Sequence, residues 1–208
     1  MGLRVAIAPG VFVPRHRSAL LVREAVAQAR RVDHTAVVLD LCCGSGALGL
    51  AVATIVPVEL YAADLFPEAV ACATHNLAPV GGRVYRGDLF AALPPVLRGT
   101  LDVLICNAPY VPTGMIGTLP AEARLHEPTG TLDGGADGLD IIRRVASEAP
   151  QWLAEGGCLL VETSTGQARA AVSVFERAGL HTHTVRSKRL DATCVVGRRP
   201  QHQPPRGG

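Results

Sequence analysis

The residues best able to do chemistry fall in four short stretches. Gly44-Ser-Gly46-Ala-Leu-Gly49 has the spacing GxGxxG, and Asp64 follows Gly44 by twenty residues, at the end of the next apolar run. Glycines at these places let a backbone approach a ligand, the helix they open offers unpaired N–H groups, and the carboxylate can bind both hydroxyls of a ribose. Together they point to a nucleoside-bearing ligand. Asp88, in Gly87-Asp-Leu-Phe90, ends a third strand-like run, and Asn107-Ala-Pro-Tyr110 ends a fourth. An asparagine oxygen and a main-chain carbonyl on a proline-stiffened turn are two acceptors able to hold both hydrogens of an NH2 group. An aromatic ring can stack on the flat group that carries it. A plain Asx-Pro turn is the alternative reading of those four residues.

Asp40 separates the nucleoside ligands from one another. It lies just before the glycines, in Asp-Leu-Cys-Cys-Gly-Ser-Gly, where a carboxylate repels a pyrophosphate and suits a cationic ligand. S-adenosylmethionine, with its sulfonium and amino group, is such a ligand. Asp88 would then accept from the adenine amino group, or cap the helix that follows, or do both. A nicotinamide-dependent oxidoreductase would use the same glycines, but Asp40 and the lack of Tyr-x-x-x-Lys in a chain whose sole lysine is Lys188 count against it.

The elements that must hold these residues alternate between strand and helix. Ala36 to Leu41 reads as a strand, followed by the glycine turn and a helix from Ala47 to Ile55. Glu59 to Ala63 is the next strand, and Pro67-Glu68 opens the next helix. Strands are expected at Val84-Tyr85, Leu101 to Cys106, Cys158 to Glu162, His181 to Arg186 and Thr193 to Gly197, with helices near 89–97, 138–154 and 166–178. This order predicts an α/β fold with a doubly wound, mostly parallel seven-stranded sheet. Only Ser187 to Ala192 separate the last two strands, which predicts an antiparallel final hairpin. Residues 1–34 read as a lead-in or lid, with a hairpin over Leu3 to Ile7 and Val11 to Val13 and a helix over Arg17 to Arg31. Residues 35–197 form the catalytic domain, and 198–208, rich in Pro, Gly and Gln, a disordered tail. The Gly-, Pro- and Thr-rich stretch of about thirty residues from Asn107 to Gly138 has the length of a binding loop or lid.

Composition narrows the class. Of 208 residues, 48% are hydrophobic and 18% charged, enough for one well-buried core. The net charge of +2, with both signs interspersed, gives no electrostatic footprint for nucleic acid. No apolar run reaches the ~18 residues of a membrane helix and the start lacks a signal-peptide pattern, so a cytoplasmic protein is expected. The six cysteines lie mostly in apolar strand-like runs and read as core residues; no metal-ligand spacing is visible.

The chain resembles the class I S-adenosylmethionine-dependent methyltransferases, and within them the HemK-type protein-(glutamine-N5) methyltransferases that modify the Gly-Gly-Gln loop of peptide-chain release factors. The likeness runs from Phe12 to about Arg198. It rests on Val13-Pro-Arg15, the Asp40 to Gly46 loop, Asp64, Gly87-Asp-Leu-Phe90, the Asn-Ala-Pro-Tyr turn, Glu127-Pro128, Leu132-Asp-Gly-Gly135 and Asp137-Gly-Leu139. The resemblance implies that Asp40, Cys42, Gly44, Gly46, Asp64, Leu65, Asp88, Leu89 and Asn107 bind S-adenosylmethionine. It assigns catalysis to Asn107, Ala108, Pro109 and Tyr110, and the substrate to Arg15, Asn107, Tyr110 and Glu127. Ala108 replaces the first proline of the family's Asn-Pro-Pro-Tyr turn, and His16, Arg17 and Ser18 replace the usual proline, acidic residue and threonine. The family's N-terminal helical domain, which helps dock the release factor, has no counterpart in a sequence that begins almost at the catalytic part. The expected activity is methylation of a glutamine side-chain amide in a protein. Methylation of an amino group on a nucleic acid or small molecule is the first alternative, and a non-catalytic cofactor- or partner-binding module another.

Overall fold

The computed structural model describes residues 3–119 and 128–201. Seven strands, β1 (Ala36–Leu41), β2 (Val58–Asp64), β3 (Arg83–Arg86), β4 (Leu101–Cys106), β5 (Leu153–Thr163), β6 (His181–Ser187) and β7 (Ala192–Arg198), form one sheet in the order β3-β2-β1-β4-β5-β7-β6. The first five are mutually parallel where they pair, whereas β7 runs antiparallel between β5 and β6. The expected topology, including the final hairpin, is the one observed. Because the chain leaves β1 first toward β2 and β3 and then crosses to β4 on β1's other side, the carboxyl ends of β1 and β4 flank the point where strand order reverses. Open α/β sheets bind ligands there.

Strand alternation feeds two cores. Leu39 and Leu41 of β1, Leu104 of β4 and Val161 of β5 face one side, where α4 (Asp140–Trp152) and α5 (Ala168–Arg177) supply Ile142, Val145, Ala149, Trp152 and Phe175. Val38, Ile105 and Leu160 face the other side, against Leu21 and Ala25 of α1 (Ala19–Ala29), Leu50 of α2 (Ala47–Ile55) and Leu77 of α3 (Pro67–Leu77). Spacings of three and four residues put each helix's apolar side chains on one stripe. All six cysteines are free, five of them buried and Cys42 half-buried.

Three expectations need correction. No hairpin forms ahead of α1: the Ala6 N–H donates to Asn76 Oδ1 (3.0 Å) and the Asn76 amide donates back to the Ala6 carbonyl (2.9 Å), so α3 meets the hydrogen-bonding needs that a partner strand would have met. The helix expected near 89–97 is two short 3-10 turns, Leu89–Ala92 and Pro95–Leu97, because Pro94 and Pro95 supply no N–H to continue a helix. Arg198 ends β7, and the Arg199 N–H donates to the Gly157 carbonyl at 2.8 Å, so both belong to the sheet and not to the tail expected from 198. Residues 202–208 of that tail lie outside the described residues.

Candidate active site

A cleft of about 280 Å3 opens at the carboxyl ends of β1, β2 and β4. At the end of β1 the chain turns through Cys42 and Gly44, both in the left-handed region (φ 57° and 54°). That turn aims the Gly44 N–H at Asp64 Oδ2 (2.8 Å), while Asp64 Oδ1 accepts from the Phe66 N–H (3.0 Å). Two backbone donors therefore fix the carboxylate at the end of β2, and each oxygen keeps a further lone pair. Gly44, Asp64, Cys42, Leu65, Asp88 and Leu89 all line the cleft, and Leu65 is 52% exposed although apolar. The Cys106 thiol and burial hold the Cys42 thiol well above its ordinary pKa, so it faces the cleft uncharged. Asp88 accepts from the Arg144 guanidinium (2.7 Å) and makes no capping bond to the turn after it.

Asp40 and Gly46 are placed differently from expectation. Asp40 is 1% exposed and does not line the cleft: its Oδ2 accepts the Gly49 N–H (2.8 Å), tying the start of α2 to β1 from behind the glycine loop. Burial, opposed by that one hydrogen bond, pushes its carboxyl up to about 7, and Oδ1 has no partner. Gly46 packs on α3, where an added Cβ would lie 3.1 Å from Leu77 Cγ, and is likewise outside the cleft lining. Strand alternation sends Asp40 to the α2 side of the sheet and away from the cleft.

The turn Asn107, Ala108, Pro109 and Tyr110 leaves β4 into the same cleft. Asn107 Nδ2 lies 3.4 Å from Ser18 Oγ, a bond that turns Oδ1 away from Ser18. Ala108 is buried, so a methyl group fills the place of a proline ring without opening the turn. The Tyr110 carbonyl accepts from Gln167 Nε2 (2.8 Å), which also donates to the Asp137 carbonyl (2.9 Å). Gly138, at φ 78°, passes directly under that joint; a Cβ there would overlap the Tyr110 carbonyl and the Gln167 amide. Val111 N–H to Leu132 O (3.0 Å) and Gly134 N–H to Val111 O (2.8 Å) bind the following segment to the Leu132–Gly135 stretch. The glycine-rich motif after the turn is therefore the turn's brace.

Two residues that sequence reading did not single out for the site complete it. Cys106 of β4 pairs with Val161 of β5, so Asn107 and Glu162 leave neighbouring strand ends toward the same face, where residues 17 and 18 wait. Glu162, 3% exposed, accepts from Arg17 Nε (3.1 Å) and the Tyr110 hydroxyl (3.0 Å), and its Oε2 has no partner. Burial first, then the Glu162 charge, raises the Tyr110 phenol far above its ordinary pKa, so it remains a donor. The signal was one carboxylate in the apolar run Leu159-Leu-Val-Glu162, legible only once the register with β4 is known. Arg15 stands over the Phe12 ring at 5.4 Å and does not line the cleft, and Glu127 lies outside the described residues.

Comparison with known proteins gives this geometry its context. The family model described as "Methyltransferase small domain" matches residues 2–125. A release factor glutamine methyltransferase of Geobacter sulfurreducens is 38% identical over 181 residues, covering 86% of this chain and 62% of its own length. The chain thus spans under two thirds of that relative. A 4-amino-L-phenylalanine/4-methylamino-L-phenylalanine methyltransferase of Streptomyces pristinaespiralis is 33% identical over 201 residues, covering 94% of this chain and 68% of the relative. Among solved structures, the release-factor-specific protein-(glutamine-N5) methyltransferase of Alicyclobacillus acidocaldarius superposes with a TM-score of 0.56 at 23% identity, covering 94% of this chain and 99% of that one, a likeness of fold. With more than half of its residues inside the matched span, this chain belongs to the methyltransferase small domain family.

Proposed function

We propose that the protein transfers a methyl group from S-adenosylmethionine to the side-chain amide nitrogen of a glutamine in a protein, a peptide-chain release factor bearing Gly-Gly-Gln being the first candidate. The observation that carries the reading is that the Gly44–Asp64 corner and the Asn107–Tyr110 turn open into one cleft. Kinship with glutamine methyltransferases supports it. A substrate in the translation machinery would place the reaction in the cytoplasm.

The residues present suit the cofactor. Asp64 offers an oriented carboxylate for ribose hydroxyls, Leu65 and Leu89 give apolar flanks for a purine with Asp88 beside them, and Gly44 leaves backbone room. When bound, S-adenosylmethionine supplies an electrophilic methyl carbon on a sulfonium. An amide nitrogen is a poor nucleophile because its lone pair is delocalised into the carbonyl. Asn107 Oδ1 and the Ala108 carbonyl therefore orient the incoming NH2, and Tyr110 packs on the amide plane and excludes water. Positioning of this kind contributes about 7–11 kcal/mol when reacting atoms are held ~3–3.5 Å apart. Phe12 and Pro14 line the cleft, which supports reading the lead-in segment as its lid.

The test is transfer of labelled methyl to a release-factor domain and to the same domain with the Gly-Gly-Gln glutamine changed to Ala. Label in the first alone is the expected result. A second reading, methylation of the amino group of a small aromatic molecule, is favoured by the Streptomyces relative, which this chain matches over more of both lengths. Labelling of 4-amino-L-phenylalanine and of neither protein would select it.

A further inference from the structure

Arg17 borders the acceptor subsite in an unusual state of preparation. Its Nε donates to Glu162 Oε1, its guanidinium carbon stands 5.7 Å from the centre of the Tyr110 ring, and its neighbour in sequence, Ser18, touches Asn107. The side chain lines the cleft and is 47% exposed, and Nε is the only one of its nitrogens that hydrogen-bonds among the described residues. Four N–H bonds of a rigid fork thus remain for something in the cleft. Glu162 serves as the anchor: buried, accepting from Tyr110 and Arg17 on Oε1 and with no partner for Oε2 among the described residues, it fixes the guanidinium through a hydrogen bond whose acceptor oxygen a glutamine would keep.

We propose that Arg17 is a specificity-determining residue of the acceptor site, donating to the carbonyl oxygen that neighbours the methylated nitrogen in a primary amide. The inference rests on the reading of Asn107 and Tyr110 given above and deepens it by naming the acceptor class. A primary amide carries two donor hydrogens and one acceptor oxygen on a single plane. Asn107 and the Ala108 carbonyl serve the hydrogens, Tyr110 the plane, and none of these side chains serves the oxygen. Arg17 does, and it also separates that oxygen from the Glu162 carboxylate, whose charge would otherwise repel it. An amine with no adjacent oxygen gains nothing from this fork. The site therefore selects amides over simple arylamines.

The test compares wild type, Glu162→Gln, and the double variant Arg17→Met with Glu162→Gln, which removes the fork without stranding a buried charge. Binding of N-acetylglutaminamide and of 4-methylaniline is followed by ligand-observed NMR in the presence of S-adenosylhomocysteine. The expected result is that Glu162→Gln keeps amide affinity within about threefold, while the double variant loses roughly tenfold or more for the amide and nothing for the arylamine. Unchanged arylamine affinity and a native circular dichroism spectrum certify the fold of each variant. Equal amide affinity in wild type and the double variant overturns the proposal, as does failure of wild type to bind the amide. Transfer to the release-factor domain is scored separately. Arg17-dependent amide binding without protein labelling sinks the protein substrate and leaves Arg17 its role, whereas protein labelling that ignores Arg17 does the reverse.

Discussion

Asn107 and Asp40 show how one carboxamide and one carboxylate near the same strand ends take different duties. In the proposed reaction Asn107 holds the acceptor, and it follows β4 while Asp64 ends β2 with β1 between them, so Asn107→Ala should leave calorimetric affinity for S-adenosylhomocysteine nearly intact while slowing methyl transfer. By analogy with removal of one oriented partner from an oxyanion hole, the barrier should rise by roughly 2.7–4 kcal/mol. Full turnover in the variant would remove Asn107 from the mechanism. Asp40 is a matter of stability. Its carboxyl is pushed up to about 7 in the folded protein, from an ordinary 3.8, because burial penalises its charge. A raised acid binds more protons folded than unfolded, so the stability of the fold falls as pH rises from about 4 to about 7 and then levels off. Asp40→Asn, which cannot ionise, should be matched with wild type near pH 4 and gain on it by up to ~4 kcal/mol by pH 8. Denaturant midpoints that keep a constant gap across that range would show that Asp40 titrates normally.

The loop elements carry the next prediction. The turn that presents Asn107 is stiffened by Gln167 from the start of α5 and by the chain passing through Gly138. Gly138→Ala places a Cβ against the Tyr110 carbonyl at a left-handed φ, so it should cost about 1–3 kcal/mol of stability and lower turnover, with cofactor affinity spared. Equal turnover in Gly138→Ala and wild type would mean that the brace is dispensable. This brace also marks where sequence reading succeeds and stops. The glycine loop, Asp64 and the Asn-Ala-Pro-Tyr turn were legible because each is a local spacing tied to a strand end. Asp40 was legible as a charge in a strand, but its use was not, since which N–H claims it depends on where Gly49 packs. The hairpin misread over residues 3–13 has the same origin: alternation promised strands, and a single asparagine 70 residues away took their hydrogen bonds. Glu162 was hidden because 55 residues and a strand register separate it from its neighbour Asn107.

For the molecule as a whole, the ligand that stabilises the fold identifies the cofactor. S-adenosylhomocysteine at a hundred times its dissociation constant should add ~2.7 kcal/mol and raise the melting temperature, whereas NAD should not. A larger shift with NAD would return the glycine loop to dinucleotide binding. The sheet order has a further bearing on how the protein is made. The last strand, β7, lies inside the sheet, between β5 and β6, and six of its seven residues, Ala192 to Gly197, are buried. During vectorial synthesis the first five strands can assemble as they emerge, but β5 keeps an open edge and β6 has no neighbour until residues 192–198 have cleared the ribosomal tunnel. Closure of the fold thus waits for its last strand, and a nascent chain stalled before Ala192 exposes the β5 edge to whatever can pair with it.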